Sequence, residues 1–346
     1  VQGRETLSII NPASEQVIGQ VTLANRADAV LAIEAAARAQ PMLASTSKAE
    51  RIDMLLALQQ AMLSNSDAIR DSAIEEYGGV LSRTQWVSQY AAQCFKNTAR
   101  VLDRYEWVRT IGEASVIMEP VGVAALIAPW NSVAGTVCSK LACAIAAGCA
   151  SVIKPSELSP IQTHVLATAL HEAGLPDGVF NVVNGDKEAV DVLLTDPRVQ
   201  AVSFVGSTPI AEYIYSTASA HGKRCQALGG AKNHCVLMPD ADLDMAANAI
   251  IGAAFGAAGE RCMALSVAVV VGDETGDKLI AQLEEKIAQM RVGPGIVDGP
   301  ENDMGPVISA PHKAKICDYI TSGEQQGAKL VVDGRDFVVE GHETGY

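Results

Sequence analysis

Residues 123–155 read VAALIAPWNSVAGTVCSKLACAIAAGCASVIKP, and this stretch decides the fold. Residues 123–128 are an apolar run of strand length. Pro129-Trp130-Asn131 makes a loop, and residues 133–147 form a helix of small and apolar residues closed by Gly148. Residues 150–153 read as a second strand that runs directly into Lys154-Pro155-Ser156-Glu157. The alternation continues downstream. Ser159-Pro160 opens the next helix, since Ser can cap and Pro fits the first turn. Residues 180–183 are a strand ending at Asn184-Gly185, and a helix follows to Leu194. Residues 201–205 are a strand ending at Gly206-Ser207-Thr208, where another helix begins. Strands alternating with helices of these lengths give an α/β protein with a parallel, doubly wound sheet. Functional residues of such a sheet gather at the carboxyl ends of its strands. Four strand ends here carry polar or glycine-rich turns.

Upstream, residues 7–22 read as short strands with Asn11-Pro12 as a turn. Asn25 caps a helix that Pro41 is expected to stop. Helices follow over about 48–63, from Ser66 to Gly78-Gly79, and over about 82–105. Residues 106–121 read as an extended hairpin. Downstream the texture changes near residue 226. Ala227-Leu228-Gly229-Gly230 reads as a flexible joint, residues 235–238 as a strand, and 240–254 as a helix. A strand over 265–271, a helix over about 277–290, and strands at 329–332 and 337–339 complete the reading. The predicted organisation is one domain over 1–105 and 122–226, a hairpin over 106–121, and a second α/β domain over 227–346.

The bulk numbers bound the function. The 346 residues suffice for two domains and a large core, and a hydrophobic fraction of 49 % with 29 glycines suits a globular α/β chain. A net charge of −14 argues against nucleic acid or an anionic membrane as the main partner. It leaves an anionic cofactor open, because helix N-termini bind phosphate without a basic surface. The eight cysteines form no paired CxxC sets, so no metal site is expected, and reduced thiols in a cytoplasm fit best. Cys138 and Cys143 read as core. No signal peptide or membrane-length apolar span is found, and the chain, from Val1 to Tyr346, reads as part of something longer.

One stretch carries the chemistry: residues 252–266, GAAFGAAGERCMALS. Cys262 lies where a small-residue helix gives way to a strand, after flexible Gly259 and beside Arg261. A thiolate nucleophile is stabilised by positive surroundings, which Arg261 and nearby backbone amides can supply. The bland alternative is one more buried thiol among eight. At the strand ends, Lys154 offers a charge for hydroxyl or phosphate oxygens. Glu157 can accept both hydroxyls of a ribose and would repel a 2′-phosphate. Gly206 and Ser207 stand at a helix start, where pyrophosphate is favoured. Each of these turns alone also reads as ordinary solvated turn chemistry, and the usual GxGxxG fingerprint is absent. Asn131 can donate to an oxyanion or can be a structural turn residue. Together the set describes one reaction. A thiolate adds to an aldehyde, Asn131 and the Cys262 amide stabilise the oxyanion, hydride leaves to nicotinamide, and a thioester remains.

The stretches NPASEQVIGQV, GVAALIAPWN, KPSELSP, GLPDGVFNVVNG, FVGST, ALGGAKNH and GAAGERCMALS, in this order over essentially the whole chain, resemble the aldehyde dehydrogenase superfamily. The resemblance implies Cys262 as nucleophile and Asn131 as oxyanion donor. It implies Lys154 and Glu157 at the adenosine ribose of NAD, Gly206 and Ser207 at the pyrophosphate, and the backbone of Ala128, Trp130 and Gly229 near the cofactor. It makes the 106–121 hairpin an oligomerisation element of a homodimer or homotetramer. From about residue 180, GDKEAVDVLL, FVGSTPIAEYIY, QALGGAKNHCVLMPDADLD and GERCMALSVAV look most like the CoA-acylating methylmalonate-semialdehyde dehydrogenases. Hydrolytic relatives carry Glu before LGG to activate the deacylating water. Ala227 stands there in this chain, which implies release of the acyl group to coenzyme A. Arg261 is then a substrate residue.

The front half departs from that subfamily. Its second substrate arginine has no clear counterpart near Ser82-Arg83-Thr84-Gln85-Trp86, and APWNSVAGTVCSKLACAIAAGC looks like general aldehyde dehydrogenases. The chain also stops before the segment where the family places a second ribose-binding Glu, so the catalytic domain is expected to be incomplete. Two alternatives stay open: a hydrolytic enzyme giving a free acid, with Glu260 as a weak candidate base, and a non-catalytic binding protein on the same fold.

Overall fold

The computed structural model describes residues 4–296, 298–299 and 301–346. In chain order the elements begin with β1 (Thr6–Ile10), β2 (Val17–Thr22), α1 (Arg26–Ser45), α2 (Lys48–Ser64), α3 (Ser66–Tyr77) and α4 (Leu81–Arg104). The hairpin β3 (Val108–Ile111) and β4 (Ala114–Ile117) follows. Then come β5 (Val123–Ile127), α5 (Val133–Ala146), β6 (Ser151–Lys154), α6 (Pro160–Glu172), β7 (Phe180–Val182), α7 (Lys187–Thr195), β8 (Val199–Val205), α8 (Thr208–Ala220) and β9 (Arg224–Leu228). The remainder holds β10 (Asn233–Leu237), α9 (Leu243–Phe255), β11 (Leu265–Val270), α10 (Asp273–Ala288) and α11 (Ala310–Gln325).

The chain divides into two units. Val1–Ile9, Gly19–Ser72 and Gln85–Gly230 form one; Ile10–Ile18, Ala73–Thr84 and Ala231–Tyr346 form the other. The first unit is built on a five-stranded parallel sheet in the order β7-β6-β5-β8-β9. Every residue of β5 and β6 is buried. That is why β5 reads as an unbroken apolar run without alternation: helices cover both faces of a parallel sheet. From β5 the chain winds outward through β6 and β7, then returns to the other side of β5 with β8 and β9. The reversal opens a crevice at the carboxyl ends of β5 and β8, where doubly wound sheets bind ligands.

In the second unit, β10 and β11 pair in parallel, Cys235 opposite Ala268 and Val236 opposite Val269. Its buried core is Leu237, Ala247, Ile250 and Leu279, drawn from β10, α9 and α10.

Several expectations are corrected. The helix opened by Asn25, whose side chain completes a capping box with Asp28, does not stop at Pro41; it runs to Ser45. Proline removes one interior hydrogen bond, and burial of Ala36, Ala39 and Leu43 around it outweighs that loss. Residues 227–228 are not a joint but the end of β9, held to β8 by the pair Phe204–Ala227. Strand β11 is not buried but mixes half-buried Leu265, Val267 and Val270 with exposed Ser266, Ala268 and Val269, having one partner strand among the described residues. Residues 329–332 and 337–339 are not strands: among the described residues they have no ladder partner, and a strand exists only through such pairing. Cys138 is buried, but Cys143 on the same helix is exposed. Helix α11 escaped the sequence reading. Among the described residues, no helix is long and apolar enough to cross a membrane.

Candidate active site

The strand ends of the first unit bring together most of the residues proposed to hold the cofactor. Lys154 is the last residue of β6, and its ammonium donates to a Glu157 carboxylate oxygen at 3.0 Å. Lys154 is 5 % exposed, whereas the Glu157 side chain is 39 % exposed. The pair thus presents an accessible carboxylate backed by a buried cation. The Ala128 amide donates to the Lys154 carbonyl at 3.0 Å, which brings the end of β5 beside that pair. Trp130 and Asn131 follow in the loop before α5, both half-buried.

On the other side of the crevice, the Gly206 amide donates to the Leu228 carbonyl at 3.1 Å, tying the ends of β8 and β9. Ser207 is the N-cap of α8, and its hydroxyl makes no capping bond. A Cβ on Gly229 would lie 3.0 Å from the Thr208 hydroxyl and 3.1 Å from its Cα, so the backbone there approaches the first residue of α8 closely. The Gly230 amide donates to the same hydroxyl at 3.0 Å. A buried cation with its carboxylate, glycine turns at two strand ends and a helix N-terminus fit an extended nucleotide whose ribose hydroxyls donate to the carboxylate and whose middle is anionic. The side-chain oxygen of Asn184, just past β7, is buried without a hydrogen-bond partner among the described residues.

The sequence reading missed Lys140. Its ammonium donates to the Ser203 hydroxyl at 2.5 Å, and that hydroxyl donates to the Gln226 side-chain oxygen at 3.1 Å. Burial pushes Lys140 down to about 8, opposed by nearby Cys143. A lone charge in the apolar helix GTVCSKLACAIAA was the available signal.

The nucleophile segment belongs to the second unit. After α9 comes a short 3-10 turn, Gly256–Gly259, within which Ala257 and Ala258 adopt left-handed backbone angles, φ 55° and 50°, followed by Gly259 at φ 77°. Each left-handed alanine costs about 1–2 kcal/mol. The Glu260 amide closes this turn on the Ala257 carbonyl at 2.9 Å, and the Ala264 amide closes a second turn on the Arg261 carbonyl at 3.0 Å. Cys262 sits inside that second turn and is exposed. The Asn233 side-chain amide donates to the carbonyls of both Cys262 and Ala264 at 2.9 Å, another contact the sequence did not disclose.

Glu260 is not a free base. One carboxylate oxygen accepts the Ile308 amide at 2.9 Å and the other meets His312 Nδ1 at 2.6 Å. Burial pushes Glu260 up, and the His312 and Ile308 hydrogen bonds pull it back. Arg83 lies within electrostatic reach of both Arg261 and Cys262. Its guanidinium is pushed down by burial, held up by Tyr77, and pushed down further by Arg261. A large apolar cavity of about 1210 Å³ in this unit is lined by Phe255, Ala258 and Gly259 but by neither Arg261 nor Cys262.

Comparison with known proteins bears on this arrangement. The model of the aldehyde dehydrogenase family matches residues 1–346. The malonate-semialdehyde dehydrogenase of Pseudomonas aeruginosa is 46 % identical, over 98 % of this chain and 69 % of its own length. The human methylmalonate-semialdehyde/malonate-semialdehyde dehydrogenase, acylating by name, is 39 % identical over 98 % of this chain and 64 % of its own. A crystal structure from Sinorhizobium meliloti, described as a methylmalonate-semialdehyde dehydrogenase and complexed with NAD, is similar with a TM-score of 0.93 and 44 % identity. It is covered over 71 % of its length, and this chain over 100 %. With the motifs, the doubly wound sheet and a family match over residues 1–346 in agreement, the chain belongs to the aldehyde dehydrogenase family.

Proposed function

We propose that this aldehyde dehydrogenase oxidises a carboxylated semialdehyde with NAD through a Cys262 thioester and releases the acyl group to coenzyme A. The Cys262 thiolate adds to the aldehyde carbon, forming a thiohemiacetal. Asn131 and the Cys262 amide hold the oxyanion, and hydride leaves that carbon to give the thioester. NAD, where bound, supplies the hydride acceptor. Lys154 and Glu157 hold its adenosine ribose, Gly206 and Ser207 its pyrophosphate, and the backbone of Ala128, Trp130 and Gly229 lines it.

The observation that carries the choice of acyl acceptor is the engagement of Glu260. Ala227 has no carboxylate to activate water, and both oxygens of Glu260 are committed to Ile308 and His312. A thiolate needs no such base to attack a thioester. The charges of Arg261 and Arg83 near Cys262 support a substrate that carries a carboxylate. The names of the Pseudomonas and human relatives support the same class. The hairpin β3–β4, with Val108, Ile111 and Ile117 exposed, supports assembly into a homodimer or homotetramer. Eight free cysteines support a reducing, cytoplasmic setting.

Stopped-flow NADH fluorescence on the full-length protein, with mass analysis of product, tests this reading. The expected result is a burst of one NADH per site, a slow phase accelerated by CoA, and an acyl-CoA product. Fast steady turnover to free acid, indifferent to CoA, would replace it with the hydrolytic reaction.

A further inference from the structure

We propose that Glu260 and His312 form a tie that positions Cys262 for attack. The inference rests on Cys262 being the nucleophile, as proposed above, and concerns how its turn is held.

Glu260 occupies the junction of two tight turns, 257–260 and 261–264, the second of which holds Cys262. The first contains two alanines in a backbone region that favours glycine, so the local sequence alone disfavours this path. A strained path persists where its surroundings over-determine it. At the junction, that is done by the Glu260 side chain, which is 11 % exposed and reaches two groups distant in sequence. These are the Ile308 amide at 2.9 Å, just before α11, and His312 Nδ1 at 2.6 Å, in the first turn of α11. Asn233 fixes the far side of the second turn through the Cys262 and Ala264 carbonyls. The nucleophile is therefore suspended between a carboxylate anchored on α11 and an amide anchored on β10. Loss of the Glu260 anchor lets the 257–260 turn relax toward ordinary backbone angles, and loss of either anchor frees the adjoining Cys262 turn and swings its thiol away from the attack geometry. A displacement of about 1 Å at a reacting centre can cost 10²-fold in rate. Glu260 and His312 are positioning residues in this account, because they act through the backbone of Cys262.

The experiment compares Glu260→Ala, His312→Ala, His312→Gln, the Glu260→Ala/His312→Ala double variant and Cys262→Ala in the full-length protein. Readouts are the NADH burst rate, the alkylation rate of Cys262 by iodoacetamide, and NAD affinity. The His312 side chain is 47 % exposed, so its replacement is compatible with folding even where Glu260→Ala is not. The expected result is a burst rate lowered roughly 10–100-fold in Glu260→Ala and roughly 3–10-fold in His312→Ala. Alkylation should slow in parallel, with NAD affinity unchanged. His312→Gln, which keeps a donor, should recover most of the loss, and the double variant should be no slower than Glu260→Ala. Wild-type burst and alkylation rates in both single alanine variants, with Cys262→Ala inactive, would overturn the tie alone. Equal losses of burst rate and NAD affinity would overturn it in favour of general damage. A burst that survives in Cys262→Ala would overturn the assignment of the nucleophile and this inference with it.

Discussion

The Asn233 side-chain amide donates to the Cys262 carbonyl at 2.9 Å, and the same nitrogen reaches the Ala264 carbonyl at 2.9 Å. One residue at the start of β10 therefore braces the backbone on both sides of Met263. Asn233→Ala leaves two carbonyls without this donor and should lower stability by about 0.5–1.5 kcal/mol. Asn233→Asp should be worse at neutral pH, since it turns an acceptor toward two acceptors. Urea midpoints with the NADH burst rate check this. Unchanged values for Asn233→Ala would show that the amide does not hold the turn.

Glu157 should set cofactor choice. Its accessible carboxylate, 3.0 Å from the buried Lys154 ammonium, faces where a 2′-phosphate would fall if the ribose binds at this pair. Glu157→Gln should narrow the preference for NAD over NADP by about 1–3 kcal/mol. Titration of both cofactors against both proteins is the measurement, and an equal preference in each would remove Glu157 from the ribose site.

Ala227→Glu should open a hydrolytic route. Ala227 lies opposite Phe204 in the sheet and is half-buried. A carboxylate there should accelerate CoA-independent release of acid, up to the roughly 10²–10⁴-fold that general-base catalysis contributes. Product analysis without CoA decides it, and an unaltered slow phase would speak against a base acting from this position.

Arg83 should discriminate by substrate charge. Removing a charged hydrogen-bond partner of a carboxylate costs about 1.5–3 kcal/mol. Arg83→Gln should therefore raise KM for a carboxylated semialdehyde roughly 10–100-fold while leaving an uncharged aldehyde of equal length within a few fold. Parallel increases for both substrates would assign Arg83 to folding of its Tyr77 neighbourhood instead.

Lys140 should give stability a distinctive pH dependence. Its pKa is lowered by burial from 10.5 to about 8 in the native state. Between those values the unfolded chain binds more protons than the native one, so stability rises as pH rises through this window, by about 3 kcal/mol across it. Below about pH 8 both states carry the proton, and the cost of the buried charge is present in full. Lys140→Met should abolish the rise. Urea denaturation from pH 7.5 to 10.5 compares the two proteins, and identical slopes would show that Lys140 is solvated.

The sequence by itself determined the doubly wound sheet. Residues 123–127 are an unbroken apolar run because both sheet faces are covered, and that requirement is written locally in the strand. It also determined the polar and glycine-rich strand ends and the Asn25 cap, since turns and caps are short-range chemistry. Only the tertiary structure decided what depends on distant partners. Pro41 stays helical because neighbours bury the residues around it, and residues 329–332 form no strand because none of the described residues pairs with them. Lys140 meets Ser203, Glu260 meets Ile308 and His312, and Asn233 meets the Cys262 carbonyl across separations of 29 to 63 residues. A hydrogen bond spanning such a distance leaves no periodicity in the sequence, because its geometry is set by the packing of the elements that carry its two ends.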